Sequence, residues 1–103
     1  MATRQQLQNK LEDILGSSNV YYQPPENYRM KYPCFRYHSE PGGIRYAGDL
    51  PYKYDARYSV TYITRDPENL DFIKHFVRQF PTCSHDRSYV SDHLYHEVFD
   101  LYF

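Results

Sequence analysis

The residues best equipped for chemistry in this chain are its two cysteines and five histidines. Cys83-x-His85 and His93-x₂-His96 sit on the two arms of a predicted C-terminal hairpin, and thiolate and neutral imidazole are good zinc ligands. On a regular strand, however, His93 and His96 point to opposite faces. The spacing matches no common zinc module, so histidines flanking a surface turn is the better reading. Cys34 follows Pro33 inside a predicted strand, without the sharp elbow or Gly-rich oxyanion loop that a thiol nucleophile uses. A buried structural thiol fits it better. Carboxylates paired for acid–base work need a cleft between them, and sequence alone shows none. Gly42-Gly43 is not a phosphate cradle, because no Lys-Ser/Thr pair follows and no helix opens there. These residues therefore assign no catalytic group, no metal and no cofactor, and the chain is not expected to be an enzyme.

The elements that would position these residues follow from pattern. Thr3 and Gln6 match a capping box, and Leu7, Leu11, Ile14 and Leu15 form one apolar stripe, predicting a helix over 3–15. Gly16 is a fitting stop. Val20–Gln23 reads as a short extended piece, ended by Pro24-Pro25. Residues 33–38 read as a strand with Phe35 and Tyr37 on one face and Cys34, Arg36 and His38 on the other. Pro41, Gly42, Gly43, Gly48 and Pro51 punctuate the next stretch, so a long loop or hairpin excursion is expected at about 39–55, with Ile44–Ala47 pairing briefly inside it.

Residues 54–64 alternate Tyr58, Val60 and Tyr62 with Ser59, Thr61 and Ile63, the clearest strand in the chain. Asp66 is placed to N-cap a second helix with Pro67 at its first position. Leu70, Ile73, Phe76, Val77 and Phe80 form that helix's stripe, and Pro81 ends it. Cys83–Val90 and Leu94–Phe103 then read as a hairpin turning at Ser91-Asp92, with Tyr95, Phe99, Leu101 and Phe103 on one face and Glu97 interrupting them. The expected fold is α+β: a mainly antiparallel four-stranded sheet with an N-terminal helix and a second helix packed on it.

Composition bounds the rest. A chain of 103 residues is one domain, here 1–103. No run of apolar residues is long enough to span a membrane. Nineteen aromatics, 13 Tyr and 6 Phe without Trp, supply ample surface to bury and argue against disorder. Twelve basic and 13 acidic residues give a net charge of −1, which argues against electrostatic binding of nucleic acid. Residues 1–15 carry charges throughout, so no secretory leader is expected. Two cysteines fit either one Cys34–Cys83 bridge or two free thiols made in a reducing cytosol, and so small a count favours the thiols.

Charge and aromatic rings are unevenly spread. Residues 28–59 carry six basic and three acidic residues; residues 85–103 carry Arg87 against Asp86, Asp92, Glu97 and Asp100. Opposite patches on one chain permit head-to-tail contacts between copies, although on charge alone a neutral domain with scattered surface charge is the better reading. The basic stretch also holds seven of the 13 tyrosines, and Tyr and Arg are enriched at protein interfaces. Arg45, Tyr46, Tyr52 and Tyr54, in or beside the Gly/Pro-rich stretch, are hard to bury in one small core. They are read as contact residues, the alternative being a half-exposed sheet face that tolerates amphipathic rings.

Several runs carry a resemblance. They are Asn19-Val20-Tyr21-Tyr22-Gln23-Pro24-Pro25, Lys31-Tyr32-Pro33-Cys34, Arg57–Pro67, Phe80-Pro81-Thr82-Cys83, Asp86-Arg87-Ser88-Tyr89 and the ending Leu101-Tyr102-Phe103. Over roughly residues 18–103 the chain resembles the tail terminator or tail completion proteins of tailed bacteriophages. The resemblance implies an α+β structural protein that forms a ring, with sixfold symmetry, capping the finished tail tube. Such a ring ends tube growth, joins the tail to the head connector and leaves a lumen through which DNA can pass. It implies a place in the virion neck, assembly in the bacterial host cytoplasm, and partners among tube and connector proteins. It implies no cofactor and no catalysis. A head-completion protein on the portal side and a small non-virion protein acting on the host are the alternatives.

Overall fold

A computed structural model of the chain describes residues 3–40, 44–47, 50–54, 57–80 and 82–103, with the backbone alone for 44–47 and 50–54. Helix α1 spans Arg4–Leu15. The Thr3 side chain accepts from the Gln6 amide and the Gln6 side chain accepts from the Thr3 amide, the expected capping box. Gly16 closes the helix in the left-handed conformation, φ 78°, where a side chain would be strained.

Strand β1 is Val20–Tyr22, β2 Cys34–Glu40, β3 Ile44–Ala47, β4 Leu50–Tyr54 and β5 Arg57–Thr64. Helix α2 (Leu70–Arg78) precedes β6 (Ser84–Ser91) and β7 (Leu94–Tyr102). The fold is α+β, with two helices among the described residues and a five-stranded mixed sheet of order β1-β2-β5-β7-β6. The expected four antiparallel strands are present as β2, β5, β7 and β6. The correction is β1, which joins the edge parallel to β2, with Val20 opposite Phe35 and Tyr22 opposite Tyr37. The short extended piece expected at Val20–Gln23 is this strand, but three residues ahead of two prolines carry too short an alternation to place it in the sheet.

The helices cover one face. Phe35, Tyr37, Tyr58, Val60, Tyr62, Phe99 and Leu101 from the sheet meet Leu7 and Leu11 of α1 and Phe76 of α2 in one core. Phe76 lies at its centre, with ring centroids 5.3 Å from Phe35, 4.4 Å from Phe99 and 5.1 Å from Phe80. Polar ties fix α1 in place. Arg4 donates to the Tyr37 hydroxyl, which donates to Gln8, and Gln8 donates to the Val20 carbonyl. Lys10 donates to the Gln79 carbonyl at 2.7 Å, just past the end of α2, while its ammonium sits 4.5 Å from the Phe80 ring centroid. A cation at a helix C-terminus also complements the helix dipole.

Three local expectations are corrected. Asp66 does not cap α2: its carboxylate accepts from the Glu68 amide in a turn, and the helix begins at Leu70, after Asn69, three residues beyond the expected Pro67. Leu70 therefore falls at the first position and is 60% exposed, while Phe72 takes its place, stacked on Tyr62 at 4.1 Å. The C-terminal hairpin turns at Asp92-His93, both with positive φ, and closes on the Ser91–Leu94 pair. Residue 54 belongs to β4, so β5 opens at Arg57.

Candidate interaction surface

The expected excursion between β2 and β5 is a hairpin. β2 and β5 pair from Cys34↔Ile63 to Glu40↔Arg57, and the chain between them forms β3 and β4, which pair with each other as a separate two-stranded sheet. Arg45 is opposite Lys53, Tyr46 opposite Pro51 and Ile44 opposite Tyr54. The register shifts between Arg45 and Tyr46, leaving Tyr52 as the extra residue of a bulge. The four residues predicted to make contacts thus share one hairpin. Their side chains lie outside the described residues. The radius of gyration of 14.3 Å exceeds the roughly 13 Å of a compact chain this long, and the longest dimension is 47 Å against 27 and 23 Å.

At one end of the sheet order, β6 is an edge strand with all eight residues exposed. Its sequence, SHDRSYVS, has no apolar alternation, and that was the available sign that neither face meets a core. On the helix side it supplies a polar cluster around Glu97, which is only 6% exposed. His85 Nε2 is 2.9 Å from one carboxylate oxygen, Ser88 donates to that same oxygen, and Asn69 donates to the other at 3.4 Å. The residue that interrupts the apolar face of β7 is therefore fully partnered.

The other sheet face is polar and basic toward β2. Arg36 and His38 stand on β2, Arg57 on β5, and small buried residues, Ser59, Thr61 and Val98, pave the middle. Arg57 lies 3.8 Å from Asp100 of β7 and His38 lies 2.8 Å from Glu40. The basic and acidic halves of the sequence thus adjoin within one sheet and meet at the Arg57–Asp100 contact. A groove of about 570 Å³ runs between the 23–30 segment and β2, lined by Pro24, Pro25, Met30, Arg36 and His38 among others.

The residues considered for metal or thiol chemistry do not converge. His85 faces Glu97 on the helix side, whereas His96 lies on the other face, stacked on Tyr89 with centroids 4.6 Å apart. Among the described residues no group of three or more His, Cys, Asp or Glu is arranged to hold a metal ion. Both cysteines are free thiols. Cys34 on β2 and Cys83 before β6 are separated by two strands in the sheet order and stand at opposite ends of the ladder, Cys34 level with His96 of β7 and Ser84 level with Asp100. Burial pushes Cys34 up to about 12 and Cys83 up to about 11, so neither carries appreciable thiolate near neutral pH. No helix among the described residues is long and apolar enough to cross a membrane.

The surface so defined belongs to an α+β domain with a self-paired hairpin at one place and an uncovered edge strand at another. Comparison of the chain with protein-family models, with curated proteins and with solved structures gives no match.

Proposed function

We propose that this chain is a structural protein of the bacteriophage neck, a tail terminator whose copies close into a ring, with sixfold symmetry, on the end of the tail tube. The ring ends tube growth and presents a new face to the head connector. The action is geometric: no bond is made or broken, and no cofactor takes part. The protein resides in the virion neck after assembly in the host cytoplasm, with the tube protein and the connector proteins as its neighbours.

The observation that carries this reading is the β3–β4 hairpin. It is an aromatic, Arg-bearing ribbon inserted between two paired strands of a small domain, with no ladder partner among the described residues except itself. A two-stranded ribbon is marginal alone in water, so a ribbon of this kind is best explained by a partner surface. The resemblance of the Tyr-Pro-Cys run and the Leu-Tyr-Phe ending to phage tail completion proteins points to the same kind of role.

Replacing Arg45 and Tyr46 together by Ala tests the contact role. The double variant should fold with an unchanged circular dichroism spectrum. In complementation of a phage lacking this gene, it should reduce the yield of joined particles at least tenfold. A folded double variant that supports full yield overturns the assignment of these residues.

A further inference from the structure

We propose that the open edge of β6 receives the β3–β4 hairpin of a second copy of this chain, so that neighbouring copies join head to tail by strand addition. The inference rests on the ring reading above and names the contact that builds the ring.

β6 pairs with β7 on one side and with no other strand among the described residues. An exposed edge of eight residues is a ready template for another strand, and proteins usually blunt or cover such an edge. Here a register shift between His85 and Arg87 blunts the first part, but the register runs unbroken from Arg87 to Ser91. The two-residue turn at Asp92-His93 makes Ser91 and Leu94 the first hydrogen-bonded pair. Bonded and non-bonded pairs then alternate along the ladder. Tyr89 and Arg87 therefore spend their amides and carbonyls on β7, and Ser88 and Val90 turn theirs outward. Val90 is 63% exposed, a β-branched residue standing on an uncovered edge.

The hairpin supplies what that edge lacks. Its two strands bond to each other, and each keeps one open side. A third strand is what turns a marginal ribbon into a stable one. Charge selects the pairing. The stretch from β3 to β4 carries Arg45 and Lys53 against Asp49 between its strands, a net +1, whereas β6 and its turn carry Asp86 and Asp92 against Arg87, a net −1, Glu97 and Asp100 being taken up by His85 and Arg57. Hairpin on β6 joins opposite signs, while β6 on β6 or hairpin on hairpin opposes like signs. The two surfaces are different parts of one chain, so the contact is heterologous and propagates from copy to copy until the rotation closes.

The test uses assembled particles. A phage lacking this gene is complemented with the chain carrying Ser88→Cys and Lys53→Cys, or Val90→Cys and Arg45→Cys, with the four single variants and the unaltered chain as controls. Purified particles are oxidised with diamide and run on a non-reducing gel. At least one double variant should give a ladder of covalent multimers that every single variant lacks. Particles that contain the double variants and yield only monomer overturn the proposal and leave the ring reading standing. Absence of the unaltered chain from particles overturns the ring reading and this proposal with it. Val90→Pro gives a second readout, because it deletes one outward amide and leaves the β7 ladder intact. Folded Val90→Pro should complement at least tenfold less well; full complementation overturns the proposal.

Discussion

His96 sits in the sheet with its ring stacked on Tyr89 and its Nδ1 3.1 Å from the Leu94 carbonyl, as donor. Burial holds it below the ordinary histidine range, with Arg36 pushing the same way, while the Leu94 carbonyl and Asp92 only partly oppose them. The sign follows from linkage. Below about pH 6.5 the unfolded chain takes up a proton that the folded chain resists, so stability falls as the pH drops through that range. Urea midpoints should therefore fall less between pH 7 and pH 5 for His96→Asn than for the parent chain. An equal fall in both would mean that His96 is free to protonate in the fold. Some of this scale was legible in sequence: the facing of Phe35 and Tyr37, the capping box and Gly16 all follow from spacing. The partners of Glu97 were not, because Asn69, His85 and Ser88 come from three places that only the packed sheet brings together.

At the scale of elements, strong alternation and an amphipathic stripe were enough to find β2, β5, β7 and both helices. The failures have physical causes. β1 was legible as an extended piece but not as a strand of the sheet, because three residues show no period and only the parallel register with β2 holds it there. α2 starts late because Asp66 spends its carboxylate on a turn before the helix, so Phe72 and not Leu70 faces the sheet. The hairpin turn moved by one residue because Asp92 and His93 both accept positive φ. α2 touches the core chiefly through Phe76, which is fully buried against Phe35, Phe80 and Phe99. Phe76→Ala should cost about 3–5 kcal/mol, a large part of the roughly 5–15 kcal/mol such a domain has. Urea unfolding measures it directly. A loss below about 1 kcal/mol would mean that α2 does not anchor the sheet.

At the scale of the molecule, the chain forms one core on the helix side of the sheet, pairs β3 with β4 as a separate ribbon and leaves β6 exposed at the sheet edge. The unequal spread of charge was legible in composition. That the basic and acidic halves adjoin across Arg57 and Asp100 was not, because only the strand order places β5 beside β7. A domain of this shape has more edge than it can cover by itself, and a ring of copies is the assembly that covers it in the reading proposed here. The most direct measurement is electron microscopy of lysates from a phage lacking the gene for this chain. The proposed function predicts overlong tail tubes without heads, beside full heads without tails. Tails of normal length beside heads that leak DNA would place the protein on the head side of the neck. Intact infectious particles would contradict a neck function altogether.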